Sequence, residues 1–247
     1  MTILHLDSGR DWRGGQLQMR RLVDGLEARG VACGVRSPLF ERRVDAPELI
    51  HCHDARTHTW ARKPFVVSRR VGFPVGRGWL SRWKYSRPEK YLAVSRFVAD
   101  QLIEAQVPAS KIEIVPDGVP RMPPADRGSG RVLVLSKNGE SVPGAVTATE
   151  LERDLGACDV FVYWSEMEGL GSAALLAQAA GVPVVARRVG GLPEAVKFGA
   201  LVDRIEEIPA AIERAREIRV DVEVIEREFG VDRMVDRTLA VYREVLV

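Results

Sequence analysis

The chain has 247 residues, 46% hydrophobic and 28% charged, with 36 basic against 34 acidic side chains and a formal net charge of +2. This ordinary globular balance excludes a disordered chain and a nucleic-acid binder that works by overall charge, so any basic site has to be local. No run reaches the roughly 18–20 apolar residues of a membrane span, and Cys33, Cys52 and Cys158 are too far apart for a CxxC pair, so the expectation is buried thiols in a reducing compartment.

In chain order, residues 3–6 read as an opening core strand and not as a charged leader. A turn over 8–15 follows, then a helix over 16–29 with Met19, Leu22, Val23 and Leu26 at i, i+3, i+4 and i+7. Gly30 suits its C-terminal cap. Short apolar runs over 31–35, 49–53, 65–68, 91–94 and 112–115 predict further strands. Ser95 is placed to cap a helix over 96–105. A Pro-, Gly- and Ser-containing stretch over 116–130 reads as a linker. A second series of strands is expected over 131–135, 160–163, 182–186 and 200–202, and a helical tail from Asp221. Strands alternating with helices on both sides of one linker predict an α/β fold of two Rossmann-like, doubly wound parallel sheets. The expected domains are 1–120 and 121–228, with 229–247 a C-terminal helix packing back on the first.

Four motifs carry chemistry. The first is the turn ending in Gly14 and Gly15, where paired glycines at a helix start allow a phosphate to approach, with Arg10 and Arg13 at hand. The plain alternative is an ordinary strand-to-helix turn. The second is His51-Cys52-His53-Asp54 at a strand end, the edge where parallel sheets place ligands. Alternation puts His51 and His53 on one face. A histidine here serves as a base or as a donor to a hydroxyl, as part of a metal site, or as a core residue, and spacing alone leaves all three open. The third is a basic aromatic segment with Arg69, Arg70, Arg77, Trp79, Arg82, Trp83, Lys84 and Tyr85, suited to an anionic or sugar-bearing acceptor or to lipid headgroups. Single-stranded nucleic acid wants a similar mixture, and a solvated loop is the bland alternative.

The fourth is the acidic glycine turn Ser165-Glu166-Met167-Glu168-Gly169-Leu170-Gly171-Ser172. It runs from a strand into a helix, with a second turn, Val189-Gly190-Gly191-Leu192-Pro193-Glu194, downstream. A helix N-terminus holds a phosphate, and a carboxylate accepts hydrogen bonds from sugar hydroxyls. Together they point to a nucleotide sugar.

These residues resemble a glycosyltransferase of the two-Rossmann (GT-B) fold, family 4, the group 1 transferases. The resemblance spans nearly the whole chain and is most specific at the Glu168 turn, at Gly181-Val182-Pro183-Val184-Val185 and at Gly190-Gly191-Leu192-Pro193-Glu194. It implies transfer, with retention, from a nucleoside diphosphate sugar bound by the second domain to an acceptor hydroxyl bound by the first, in cell-surface glycan or lipopolysaccharide synthesis, without a cofactor or metal. By the same resemblance, His53 and Glu168 are the catalytic pair. Gly14, Gly15, Lys137, Glu168, Gly169, Leu170, Gly171 and Ser172 would bind the donor; the basic aromatic character of the third motif, and not the resemblance, assigns Arg69, Arg70, Arg77 and Trp79 to the acceptor. The expected partners are a nucleotide sugar and a glycan or lipid-linked acceptor, with peripheral contact to a membrane and no nucleic acid. The expected location is cytoplasmic, at the inner face of the membrane.

The chain departs from the family pattern in three ways. Leu176 stands where the family has a second glutamate for the nucleotide ribose. Lys137, in Ser136-Lys137-Asn138-Gly139-Glu140, is a loose match to the family's phosphate-neutralising Arg and Lys. Both domains are short, as if trimmed by a strand-and-helix unit. An alternative therefore accompanies the enzyme reading, a catalytically degenerate relative that binds a sugar or a partner protein.

Overall fold

The first alternating run becomes β1 (Thr2–Leu6) and the first amphipathic stripe α1 (Gly14–Glu27). The computed structural model describes residues 1–62, 64–76, 78–136 and 139–247. The chain continues as β2 (Ala32–Arg36), β3 (Glu41–Arg42), β4 (Leu49–Cys52), α2 (Ala55–Trp60), β5 (Phe65–Arg69), α3 (Trp79–Ser86), β6 (Lys90–Ala93), α4 (Arg96–Glu104) and β7 (Ile112–Ile114). Then follow β8 (Val132–Ser136), β9 (Ala145–Thr147), α5 (Leu151–Asp154), β10 (Val160–Trp164), α6 (Ser172–Ala179), β11 (Val184–Arg187) and α7 (Leu192–Ala195). The last elements are β12 (Gly199–Val202), α8 (Ile208–Arg216), α9 (Val222–Phe229) and α10 (Val231–Leu246).

The chain divides into two compact units, one of Met1–Gly118 with Val231–Val247, the other of Val119–Gly230. In the first, the strand order is β3-β2-β1-β4-β5-β6-β7, all parallel except the two-residue edge strand β3. In the second, five parallel strands run β12-β11-β10-β8-β9. Both orders reverse direction once, between β1 and β4 and between β8 and β10. Such a switch point opens a crevice at the carboxyl ends of the strands, where doubly wound sheets bind ligands.

Burial explains the strand sequences. All five residues of β5 and all five of β10 are buried, so β10 reads as a continuous apolar run and not as alternation, while β5 also buries Ser68 and Arg69 at its end. In the first unit Ile3, Met19, Leu22, Leu26, Leu49 and Leu92 form one core with Met234, Leu239 and Tyr242 of α10. Each fully buried aliphatic side chain there contributes about 1.5–3 kcal/mol. Arg29, just past α1, pairs with Asp232 and Asp236 one turn apart on α10, at 2.9 and 2.8 Å. The second unit has its own core around Val132, Val160, Val162, Val185 and Ile208.

Three features differ from the sequence reading. The short edge strands β3 and β9 carry too few apolar residues to show as periodic runs. The basic aromatic segment contains a helix, α3. The stretch 119–130 is no loose tether, because the N–H groups of Val119, Ala125 and Asp126 donate to the carbonyls of Phe229, Ala180 and Gly156 at 2.8 Å each.

Candidate functional site

Both switch points gather polar and charged side chains, each within its own unit. In the first, β1 and β4 pair so that His5 stands directly beside His51. Alternation then brings His53 to the same place, with ring centroids 4.1 Å from His51 and 5.3 Å from His5. All three rings are buried. Arg70, just after β5, donates to His53 Nδ1 at 3.1 Å and through Nε to Asp117 at 2.7 Å. An acceptor at Nδ1 fixes the neutral His53 proton on Nε2, 3.0 Å from His5 Nδ1. His5 then accepts there and carries its own proton on Nε2. That Nε2 is buried without a partner. His51 is held at both nitrogens, by Tyr242 of α10 and by Ser68 of β5.

Burial is the main force keeping these rings neutral. It pushes His5 down to about 3, with the Arg70 guanidinium adding to the effect. Burial likewise holds His51 and His53 well below the usual histidine range, helped by the neighbouring histidines and Arg70. The three ligating nitrogens lie within 4.8 Å of one another, close enough to share a metal ion. Against that stands the hydrogen bonding, since five of the six ring nitrogens are already engaged. A guanidinium beside His53 also repels a cation. The cluster is therefore a hydrogen-bonded chain running Asp117–Arg70–His53–His5, an ion pair followed by two neutral imidazoles.

The glycine turn lies in the same unit, after β1. Asp7 receives the Gly9 N–H at 3.0 Å and the Gln16 amide at 3.1 Å, and Asp54 receives the Ser8 N–H at 2.7 Å. Asp54 also caps α2 through the N–H groups of Arg56 and Thr57. Helix α1 has no side-chain cap and no acidic residue in its first turn, which leaves its N-terminal N–H groups to an anion.

In the second unit the acidic turn leaves the end of β10. The half-buried Glu168 is fixed by its own strand. Tyr163 donates to its Oε1 at 2.7 Å, and Ser165 Oγ lies 3.0 Å from the same oxygen. Burial first, and then the Glu168 charge, push the Tyr163 phenol up, so it remains a donor. Gly171 stands at the N-cap of α6 with φ of +101°, a conformation that favours glycine. Helix α6 has no side-chain cap and no acidic residue in its first turn. The downstream turn lies against the first, with the Gly191 N–H donating to the Glu168 carbonyl at 3.0 Å.

The site residues expected from sequence fall into several groups. Glu168, Gly169, Leu170, Gly171 and Ser172 form one continuous turn into α6. Gly14 and Gly15 begin α1. Lys137 and Arg77 lie outside the described residues. Arg69 and Arg70 face inward. Arg69 is buried and donates to the Tyr85 hydroxyl and the Phe73 carbonyl, and Arg70 is held by Asp117 and His53. Trp79 is 77% exposed, so the expected acceptor residues do not share one surface. Leu176 is buried within α6. The three cysteines are free and buried, and burial pushes Cys52 up to about 12 and Cys158 up to about 11.

Sequence reasoning missed His5, Arg70's pairing with Asp117, Tyr163 and Tyr242. The signal for His5 was present, since it sits on an inward-facing position of a strand that pairs with the strand of His51. Arg187, at the end of β11, was also passed over. Its guanidinium lies 5.2 Å above the buried Trp164 ring, at the carboxyl edge of the second sheet.

Comparison with known proteins adds to this geometry. A family model described as "Glycosyl transferases group 1" matches residues 90–217, and one described as "Glycosyltransferase Family 4" matches residues 35–121. A 61-residue segment is 52% identical to a D-inositol 3-phosphate glycosyltransferase of Pseudarthrobacter chlorophenolicus, covering 24% of this chain and 14% of that protein. A 108-residue segment is 33% identical to the sulfoquinovosyl transferase SQD2 of Arabidopsis thaliana, covering 44% of this chain and 19% of that protein. These matches span less than a fifth of either relative's length. The fold is similar to that of HepE from Anabaena, crystallised with UDP-glucose, with a TM-score of 0.77 at 14% identity over 99% of this chain and 100% of that one.

Proposed function

The chain belongs to the group 1 glycosyl transferases, and we propose that it moves a sugar from a nucleoside diphosphate sugar to an acceptor hydroxyl with retention of configuration. The observation that carries this reading is the Glu168 turn. A carboxylate held by Tyr163 and Ser165 stands beside the open N-terminus of α6, so one turn offers an anchor for sugar hydroxyls and another for diphosphate. As the sugar–oxygen bond breaks, charge develops on the leaving diphosphate. The α6 N–H groups stabilise that charge with little reorganisation, because the neighbouring glycine turn already fixes the backbone. Lys137 is the proposed partner for the same charge. The first unit takes the acceptor, a glycan or a lipid-linked sugar used in cell-surface or lipopolysaccharide synthesis. There His53 offers a neutral imidazole and Gly15 a phosphate approach. Peripheral contact with the inner face of a membrane belongs to the same proposal. No helix among the described residues is long and apolar enough to cross a membrane.

Leu176 supports a second reading. It leaves α6 without a carboxylate for ribose hydroxyls, as expected of a relative that binds a sugar or a partner without turnover. One experiment separates the two. UDP-, GDP- and ADP-sugars are screened for transfer and hydrolysis, with Glu168→Ala and His53→Ala alongside. The enzyme reading expects turnover on one donor, a thermal shift with its nucleotide, and a loss of about 10²–10³ in kcat for Glu168→Ala. Turnover equal to wild type in both variants contradicts the site. Binding without turnover on any donor favours the second reading.

A further inference from the structure

Charge is distributed unevenly along this nearly neutral chain. Residues 55–88 hold nine of the 36 basic side chains and none of the 34 acidic ones, leaving 27 against 34 elsewhere. The structure folds this stretch as α2, β5 and α3. Strand β5 is wholly buried, whereas α3 buries none of its residues. The exposed side chains are large and apolar. Trp60 is 79%, Trp79 77% and Trp83 55% exposed. Exposed tryptophan grouped in this way is unusual on a surface that meets only water.

The two helices are fastened to each other. His58 Nε2 meets the Lys84 carbonyl at 3.0 Å, and the Lys84 ammonium donates to the Ala55 carbonyl at 2.5 Å. Arg87 donates to the carbonyls of Thr59, at 2.9 Å, and Ala61, which flank Trp60, while its guanidinium lies 4.8 Å over the Trp83 ring. One arginine thus ties the backbone on either side of Trp60 to the Trp83 ring. Helical spacing adds free cations to the same faces. Arg56 is four residues before Trp60, and Arg82 lies between Trp79 and Trp83 on one side of α3. Arg56, Arg62 and Arg82 are exposed and form no ion pair among the described residues.

We propose that this α2–α3 face docks on an anionic lipid bilayer, with Trp60, Trp79 and Trp83 at headgroup depth and Arg56, Arg62 and Arg82 on lipid phosphates. Tryptophan is the side chain that favours the membrane–water boundary, and each basic residue near an anionic surface adds to the attraction. A nucleic-acid strand is the weaker match. The three rings are largely exposed and not set in a pocket wall, and the pocket beside Arg82 is lined also by the acidic Glu104. The inference rests on the membrane contact proposed above and names the face that makes it, but it does not depend on the donor site, since a chain inactive on every donor would still bind.

The test is flotation of the full chain with phosphatidylcholine vesicles, with and without phosphatidylglycerol. Binding is expected only when phosphatidylglycerol is present. It should weaken with salt and be accompanied by a blue shift of tryptophan emission. The triple variant Arg56→Glu, Arg62→Glu, Arg82→Glu should lose about a hundredfold or more in affinity. Trp79→Ser with Trp83→Ser should lose binding and the blue shift together, with an unchanged circular dichroism spectrum. Wild type that does not float with phosphatidylglycerol overturns the proposal. So does undiminished binding by both variants, or a single-stranded oligonucleotide that displaces the chain from vesicles.

Discussion

The same dipeptide, two adjacent glycines between a strand and a helix, occurs in both units with opposite physical roles. At Gly14 and Gly15 an added Cβ would meet nothing within 4 Å. At Gly190 it would lie 2.1 Å from the Glu168 carbonyl oxygen, and at Gly191 2.1 Å from that of Gly169. The second pair is needed by the fold, because it lets one turn lie flat on the backbone of another. The first pair is not. Glycine in a helix interior costs roughly 0.5–1 kcal/mol relative to alanine, less in the first turn, and this pair gains no packing in return. If a ligand approaches this turn, as proposed above, the missing side chains have a use, and Gly15→Ala tests that. The units also differ in what stands behind their turns. All four histidines of the chain lie in the first unit, and all four are buried. The second unit relies on a carboxylate held by hydroxyls.

That last difference predicts the largest effect. The folded state holds His5, His51 and His53 neutral, with pKa values below those of the unfolded chain. Below about pH 6.5 the unfolded chain therefore takes up protons that the folded chain refuses. The stability contributed by these neutral rings is full above that pH and falls as the solution is acidified. With three rings the slope reaches about 4 kcal/mol per pH unit. His58, lowered to about 4 by burial and then by Lys84, adds to the loss between about pH 6.5 and 4. Acidification from pH 7 to 5 should unfold the first unit before the second, as read by hydrogen exchange resolved along the chain. Simultaneous loss of protection in both units would remove the distinction between them.

Gly191→Ala comes next in size. The new methyl group would press on the Gly169 carbonyl and on the Leu170 Cα at 2.8 Å, both backbone atoms that cannot rotate away. A destabilisation of about 3 kcal/mol is expected, seen as a lower denaturant midpoint for the second unit. If the Glu168 turn holds the donor, donor binding should be lost with it, because the methyl group displaces the Gly169–Leu170 backbone of that turn. A midpoint equal to wild type would mean that the two turns are not packed as described.

How far these differences could be read in advance follows from their range along the chain. The α/β alternation was legible because apolar periodicity is local, as in α1 and β10, and Ser95 was legible as a cap because its bond to the Val98 N–H spans three residues. The Glu168 turn stood out for the same reason, with carboxylate, glycines and helix start all within a few residues. The histidine cluster was only half visible. His51 and His53 are neighbours in sequence, but His5 and Tyr242 reach them from 46 and 191 residues away through strand register and helix packing. Arg69 and Arg70 were legible as a basic pair but not as inward-facing, because their partners Tyr85 and Asp117 are set by tertiary structure. The contrast between the glycine pairs was also hidden. A sequence shows that a side chain is missing, but not what that side chain would have struck.

Gly15→Ala is the smallest change in stability and the most direct test of the contrast. The site has room for the methyl group, and α1 gains a better helix former, so the folded state should be unchanged or more stable by up to about 1 kcal/mol. If the glycine is kept for a ligand, the gain in stability should come with a loss of nucleotide affinity, because the methyl group occupies the space through which a phosphate nears the helix N-terminus. Thermal denaturation with and without UDP reads both quantities on one sample. An alanine variant with a higher melting temperature and a smaller UDP-induced shift than wild type supports a phosphate approach at the first turn. A variant whose UDP shift equals that of wild type would show that Gly15 is no part of the donor site, whatever its effect on stability.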